Sequence, residues 1–169
     1  MIGGESVIPV KWVANEKVSM MKWARKFGAA AFQVEHRFFG YSRPFPEMTT
    51  EALAYCTTEQ ALADLAEFIR QMNEKYKFPS PKWVTFGGSY PGSLAAWFRA
   101  KYPELTVGSV ASSAPVNLKL DFYEYSMVVQ DVLLETDKTC HDKVKAAFKH
   151  IQRLILTKDG RDQLNEALR

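Results

Sequence analysis

Residues 83–102 read WVTFGGSYPGSLAAWFRAKY. The first four residues are β-branched and aromatic, which is typical of a short buried strand. The next six, Gly87–Gly92, include turn-forming residues, and the remaining ten have the composition of a helix. Pro103 follows and ends that helix, because a proline cannot continue it. The stretch therefore predicts a strand, a sharp turn and a helix in immediate succession.

The turn carries a serine, Ser89, where the strand ends and the helix begins. Hydrolases mount a nucleophilic serine in this position, with its hydroxyl exposed beside the N-terminus of a helix. Strand and helix approach closely there, so Gly88 and Gly92 meet the demand for small flanking residues, while Gly87 lets the strand end tightly. Ser89 is therefore a candidate nucleophile. Glycine-serine turns are also common without any catalytic role, so the turn alone does not decide the question.

Two residues after Ser89 bear on its chemistry. The backbone N–H of Tyr90 is a candidate donor to the oxyanion of a tetrahedral intermediate. Pro91 stands where the usual G-x-S-x-G pattern has its last glycine. A proline is tolerated in the first helical turn, because the N–H that it lacks would have no partner within the helix. The Tyr90 donor is therefore retained.

The segments around this stretch alternate between helix and strand. Residues 12–27 predict a helix that ends at Gly28, and residues 29–34 predict a buried strand. A capped helix is predicted over residues 57–76, and residues 105–115 predict another strand. Such alternation is typical of a parallel sheet with flanking helices. The predicted fold class is α/β.

The pattern changes after the last predicted strand. Residues 117–169 contain amphipathic helical stretches that follow one another with no strand between them. We therefore expect two regions, an α/β core over residues 1–116 that carries the serine turn and a helical region over residues 117–169.

Composition and charge exclude several classes of function. The net charge of +3 arises from 22 basic and 19 acidic residues scattered along the chain, without the basic stripe of nucleic-acid-binding proteins. No apolar run approaches the ~20 residues that span a bilayer, and no signal peptide is visible at the start. Zinc and nucleotide motifs are also missing from the sequence. We therefore expect no nucleic acid, no membrane, no metal and no cofactor, while Cys56 and Cys140 leave their redox state open.

A nucleophilic serine needs a base and an orienting acid, which in this arrangement follow it in the order Asp or Glu, then His. His141 and His150 follow Ser89, but both lie in a predicted amphipathic helix rather than in a loop after a strand. His36 precedes the serine, and a structural role is its better interpretation, with Glu35 and Arg37 pairing nearby groups. None of the three is assigned as the base.

Five stretches, taken together, resemble one family of serine peptidases. They are GGE (3–5), EHRFFGYSRPF (35–45), TTEQALADLAEFI (57–69), GGSYPGSLAAWFRAKYP (87–103) and SVASSAPV (109–116). They resemble the S28 serine carboxypeptidases, the family of prolyl carboxypeptidase, dipeptidyl peptidase II and thymus-specific serine protease. The likeness to the thymus-specific type is the greatest of the three.

The resemblance implies a partial α/β-hydrolase fold followed by the beginning of a helical cap. It implies that Ser89 is the acyl-forming nucleophile of an exopeptidase, and that Tyr90 and Gly4 provide the oxyanion-hole N–H groups. The substrate would be a peptide, the location secreted or lysosomal, and a homodimer of the full-length protein is allowed. Proline-cleaving members carry an apolar residue where this chain has Ser93, so a preference for proline is not implied.

The resemblance also implies that this chain is a middle segment of a longer protein. The triad Asp and His would then lie beyond Arg169, and we expect the segment alone to be inactive. Two alternatives stay open at the level of sequence. One is an esterase or lipase of the same fold, and the other is a truncated, non-catalytic protein that binds peptides or a partner.

Overall fold

The computed structural model describes all residues from Met1 to Arg169. The chain divides into two compact units, Met1–Asn117 and Leu118–Arg169. The elements of the first unit are α1 (Lys11–Ala14), α2 (Ser19–Phe27), a 3₁₀ helix (Glu51–Tyr55), α3 (Thr58–Tyr76), β1 (Val84–Gly88), α4 (Tyr90–Lys101) and β2 (Gly108–Ser112). Those of the second unit are α5 (Glu124–Thr136), α6 (Lys138–Leu154) and α7 (Lys158–Ala167).

The sheet of the first unit is parallel. Strands β1 and β2 pair from Val84 opposite Gly108 to Gly88 opposite Ser112. Ile2 extends the sheet on the other side of β1, because its N–H donates to the Phe86 carbonyl at 2.9 Å while Ile2 itself pairs in parallel with Val34. With helices flanking these parallel segments, the unit is a mixed α/β structure consistent with a partial α/β-hydrolase fold. The predicted fold class is confirmed.

The prediction of a buried strand over residues 29–34 is wrong. Only Val34 forms a bridge, and Ala29 and Ala30 are exposed. The N–H of Ala29 donates to the Ala24 carbonyl at 2.8 Å and so closes the end of α2. This helix cap uses a backbone group that a strand would need for its ladder.

The single helix predicted over residues 12–27 is divided into α1 and α2. The side-chain carbonyl of Asn15 accepts a hydrogen bond from the N–H of Lys17 at 2.9 Å, and Val18 is extended with ψ 135°. Asparagine side chains compete with the helix for backbone N–H groups in this way. The predicted end at Gly28 is confirmed, since that residue is left-handed with φ 60°.

Helix α3 begins at its predicted cap, where Thr57 Oγ1 accepts from the N–H of Gln60 at 3.2 Å. Its apolar residues recur at helical spacing and form one buried face. This face packs against buried residues of α4 and against Ile2 in a single core. The core comprises Ile2, Leu62, Leu65, Ala66, Ile69, Leu94, Ala95 and Phe98. Burial of each large side chain contributes roughly 1.5–3 kcal/mol, and the core anchors α4 at the end of β1.

The regular elements of the second unit are all helices. Helix α6 begins at Asp137, whose carboxylate accepts from the N–H of Thr139 at 2.7 Å. Helix α7 begins at Thr157, whose hydroxyl accepts from the N–H of Gly160 at 3.0 Å. Throughout the chain, no helix combines the length and the apolar character that crossing a bilayer would require.

Candidate active site

Ser89 occupies the turn between β1 and α4 in a conformation that is unusual for a residue with a side chain. Its φ is 60° and its ψ is −132°, a combination that costs of order 1–3 kcal/mol and persists only where the surroundings enforce it. The Ser89 N–H donates to the Ser112 carbonyl at 3.0 Å, and the Ser89 carbonyl accepts from Gly92 at 2.9 Å. The residue is exposed. The turn therefore presents the hydroxyl to solvent at the carboxyl end of a parallel strand.

Two of the three glycines at this turn are sterically required. A Cβ on Gly87 would lie 2.0 Å from the Pro91 carbonyl oxygen, and one on Gly92 would lie 2.9 Å from the Ser112 carbonyl oxygen. A Cβ on Gly88 would find its nearest neighbour only at 4.0 Å. The close approach of strand and helix expected from the sequence thus falls on Gly87 and Gly92, and Gly88 has room for a methyl group.

The backbone N–H groups of Tyr90 and Gly4 have no partner within the protein. Tyr90 is the first residue of α4, where an N–H has no intrahelical acceptor. Gly4 packs on the next residue of that helix, since a Cβ at Gly4 would lie 2.6 Å from Pro91 Cγ. Neither Gly4 nor Tyr90 donates its N–H to another protein group. Both N–H groups named from the sequence are therefore unoccupied: that of Tyr90 belongs to the residue after Ser89, and that of Gly4 to a residue that packs on Pro91.

The side chain of Tyr90 is tied to a buried histidine. Tyr90 Oη lies 3.1 Å from His36 Nε2 and 3.2 Å from Thr58 Oγ1. His36 is only 7% exposed, and its Nδ1 lies 2.7 Å from the Arg37 carbonyl. Burial raises the pKa of Tyr90 above its ordinary value. No spacing or motif in the sequence indicates this link, although the position of His36 in the sequence favours a structural role.

The residues on either side of His36 fix the loop that carries it. The Glu35 carboxylate accepts hydrogen bonds from the N–H groups of Ile8, Tyr41 and Ser42 at 3.1, 2.7 and 2.9 Å. Charge-assisted bonds of this type are among the stronger ones in proteins. The pairing expected for Glu35 is therefore with backbone groups rather than with a charged side chain.

Arg37 joins the same loop to α3 and to the 3₁₀ helix. Its Nε and Nη2 bond both carboxylate oxygens of Asp64 at 2.6 Å, and its Nη1 bonds the Tyr55 carbonyl at 2.9 Å and the side chain of Gln60. The bidentate contact with Asp64 raises the pKa of Arg37. The Arg37 carbonyl, which is the hydrogen-bond partner of His36 Nδ1, thus belongs to a residue whose side chain is itself fixed by several hydrogen bonds.

Ser93 and the remaining histidines have other partners. Ser93 is fully buried, and its hydroxyl donates to the Pro115 carbonyl at 3.0 Å. His141 in the helical unit pairs through Nδ1 with Asp142 at 2.9 Å, and His150 is exposed. The hydroxyl of Ser89 has no hydrogen-bond partner within its own unit, and His36 is engaged on both ring nitrogens.

One cavity of the first unit is separate from this site. It has a volume of about 730 Å³ and is lined mainly by apolar side chains, including Trp23, Phe27, Phe32 and Trp83. Ser89, Tyr90 and Gly4 do not line it. The cavity is therefore not part of the candidate site around Ser89.

Comparison with known proteins bears on what the serine does. The sequence profile described as serine carboxypeptidase S28 matches residues 1–169. A Caenorhabditis elegans protein named serine protease F56F10.1 is 64% identical over 165 residues, covering 98% of this chain and 31% of its own length. The human thymus-specific serine protease is 40% identical over 137 residues, covering 78% of this chain and 27% of its own length.

A third relative carries a more specific name. The bovine lysosomal Pro-X carboxypeptidase is 36% identical over 166 residues, covering 93% of this chain and 33% of its own length. The chain thus spans about a third of the length of the curated relatives that it matches. The resemblance drawn from the five sequence stretches is confirmed. Since the profile matches from the first residue to the last, the chain belongs to the serine carboxypeptidase S28 family.

Proposed function

We propose that this chain carries the nucleophile and the oxyanion hole of a serine-type exopeptidase that works through an acyl-enzyme. The observation that carries the proposal is the backbone of Ser89, held at φ 60° and ψ −132° at an exposed turn. Two unoccupied N–H groups, those of Tyr90 and Gly4, accompany it. Membership of a family of serine carboxypeptidases supports the same reaction.

In the proposed reaction, Ser89 Oγ attacks the carbonyl carbon of a peptide bond and gives its proton to a general base. The carbonyl oxygen becomes an oxyanion, which the N–H groups of Tyr90 and Gly4 stabilise. The intermediate collapses to an ester on Ser89, and the amine leaves with the proton from the base. Water then attacks the ester by the reverse sequence of proton transfers and releases the acid.

We assign the base and its orienting acid to sequence outside these residues. Within its unit the Ser89 hydroxyl has no partner, and His36 already uses both ring nitrogens. A serine without a base is a poor nucleophile. The isolated chain of 169 residues is therefore proposed to be inactive, and the helices after Leu118 are proposed to be the beginning of the helical cap that the family resemblance implies.

The substrate class and the location follow the relatives. Relatives from several mammals are named lysosomal Pro-X carboxypeptidase, and the proposed substrate is a peptide cleaved near one end, in a lysosomal or secreted setting. Ser93 is buried and bonded to Pro115, so we do not extend the proposal to a preference for proline.

The test is covalent labelling by a fluorophosphonate, which reacts with activated serines. The gene product that carries residues 1–169 is expected to be labelled, and Ser89→Ala is expected to abolish the labelling. The control is Ser126→Ala, which removes an exposed serine of α5 and should leave labelling unchanged. Persistent labelling of the Ser89→Ala variant would refute the assignment of the nucleophile.

The isolated chain tests the assignment of the base. Residues 1–169 alone, once circular dichroism has shown that they are folded, are expected to stay unlabelled under the conditions that label the complete gene product. Labelling of Ser89 in the isolated chain would show that a base lies within these residues, and the part of the proposal that places it elsewhere would be wrong.

A further inference from the structure

The buried group closest in function to the serine, yet unused by the proposed reaction, is the imidazole of His36. It is 7% exposed, it lies in the loop after Val34, and its partner Tyr90 is the residue that follows Ser89. Burying an imidazole costs free energy unless its ring nitrogens make hydrogen bonds, and both nitrogens of His36 do so. The imidazole is therefore in a position to hold the Tyr90 side chain in place.

The direction of each hydrogen bond follows from the chemistry of the partners. A carbonyl oxygen only accepts, so His36 Nδ1, at 2.7 Å from the Arg37 carbonyl, carries the proton. In the neutral ring Nε2 then bears the lone pair and accepts from Tyr90 Oη at 3.1 Å. The phenol oxygen is left free to accept from Thr58 Oγ1 at 3.2 Å. The result is a directed chain from Thr58 through Tyr90 and His36 to the backbone of Arg37.

Packing against two aromatic rings also holds the imidazole in place. The ring of Phe39 meets the His36 ring edge-on at 5.3 Å between centroids, and the Tyr90 ring lies at 5.6 Å. The acceptor of the chain is the carbonyl of Arg37, whose guanidinium is fixed by Asp64 and by the Tyr55 carbonyl. The phenol of Tyr90 is thus anchored, through His36, to the loop segment that Arg37 ties to its neighbours.

We propose that His36 is a positioning residue, which anchors the phenol of Tyr90 and thereby holds the Tyr90 N–H in place beside Ser89. The inference rests on the proposed function, because it gives the Tyr90 N–H its role as an oxyanion donor. A side chain anchored at its far end restricts the rotation of the backbone that carries it. Donors that are fixed in advance lose little free energy by reorganising when the oxyanion forms.

The test uses the rate of covalent reaction with a fluorophosphonate in the complete gene product. The inactivation constant kinact reports the chemical step, whereas KI reports binding of the probe. Tyr90→Phe removes the hydroxyl while keeping the ring and the backbone N–H. The variant loses the contacts of the phenol with both His36 and Thr58, and a net loss of about 1 kcal/mol predicts a fall in kinact of roughly five- to tenfold, with KI unchanged. The control is Tyr102→Phe, at the C-terminal end of α4, since no hydrogen bond uses that hydroxyl.

Two variants of His36 separate positioning from bulk structure. His36→Asn can still donate to the Arg37 carbonyl from the place of Nδ1, but it has no atom that reaches Tyr90. His36→Gln places an amide oxygen near the place of Nε2 and can still accept from the phenol. We expect His36→Asn to lower kinact by no more than Tyr90→Phe does, because Tyr90→Phe also loses the contact with Thr58. We expect His36→Gln to keep more of the rate, and the double variant of His36→Asn with Tyr90→Phe to be no slower than Tyr90→Phe alone.

Several outcomes would overturn the inference while leaving Ser89 in its role. Additive effects of His36→Asn and Tyr90→Phe would mean that His36 does not act through the phenol. An unchanged kinact in Tyr90→Phe, or a change in KI alone, would have the same meaning. If His36→Asn does not fold, the double variant of His36→Gln with Tyr90→Phe takes its place: it is expected to be no slower than Tyr90→Phe alone, and an additive loss would overturn the inference. Failure of the proposed function would instead appear as labelling that survives Ser89→Ala.

Discussion

Tyr90 has two separate parts in the candidate site, one through its backbone and one through its side chain. The backbone N–H could be named from the sequence, because the residue after a nucleophilic serine occupies a fixed place in a strand-turn-helix. The contact between its phenol and His36 could not, because the two residues are 54 positions apart and neither spacing nor composition indicates such a pair. Local geometry was therefore predictable at this residue, and its anchoring was not.

The raised pKa of Tyr90 predicts a dependence of stability on alkaline pH. Burial makes the native protein hold the phenol proton more tightly than the unfolded chain does, so Tyr90 does not alter the pH dependence well below the unfolded pKa of about 10. As the pH rises above that value, the unfolded state loses its proton first and the native state is destabilised relative to it.

The measurement is the urea-induced unfolding free energy at pH 9 and pH 11. Wild type is expected to lose stability over this interval by more than Tyr90→Phe does, because the variant has no phenol to ionise at this site. Tyr102→Phe should behave as wild type. Equal losses in wild type and Tyr90→Phe would mean that the phenol is not protected from ionisation.

At the scale of elements, the sequence predicted best where one local signal acted alone. The cap at Thr57 and the apolar spacing of α3 were sufficient, and so was the short run before Gly87. Two predictions failed where a second group competed for the backbone. Asn15 takes the N–H of Lys17 and divides the first helix, and Ala29 gives its N–H to the cap of α2 instead of to a strand.

The turn between β1 and α4 offers a matched pair of glycines for a test of packing. A methyl group on Gly87 would meet the Pro91 carbonyl at 2.0 Å, whereas one on Gly88 has no neighbour nearer than 4.0 Å. Overpacking of this kind costs about 1–3 kcal/mol or more. Gly87→Ala is expected to lower the unfolding free energy by at least about 2 kcal/mol and to abolish fluorophosphonate labelling, since Ser89 would shift.

Gly88→Ala is the control and should change the unfolding free energy by less than about 1 kcal/mol. Urea denaturation followed by circular dichroism measures both variants. A similar loss in the two variants would mean that the strand, rather than the contact between β1 and α4, is sensitive to the added methyl group. The close approach would then have no special part in holding Ser89.

At the scale of the whole molecule, the chain leaves many large apolar side chains in contact with solvent. In the helical unit, Val128 and Val132 lie one turn apart on α5 and are 62% and 56% exposed. Tyr125 and Leu156 are exposed as well. Contiguous apolar surface of this kind is rare on proteins that act as monomers. Composition could not foretell it, because α5 is apolar enough in sequence to be buried.

This surface predicts that the isolated chain of 169 residues associates in solution. Light scattering is expected to give an apparent mass that rises with protein concentration above 19.2 kDa, because association removes apolar area from water at about 25 cal/mol per Å². Replacing Val128 and Val132 by Gln should reduce the rise while leaving the helical circular dichroism intact. The matched control replaces Lys145 and Lys149 of α6, which are exposed and also one turn apart, by Gln. That control removes charge but no apolar surface, so it should associate at least as strongly as wild type. A constant mass of one chain at every concentration would instead show that the exposed face of α5 does not drive association.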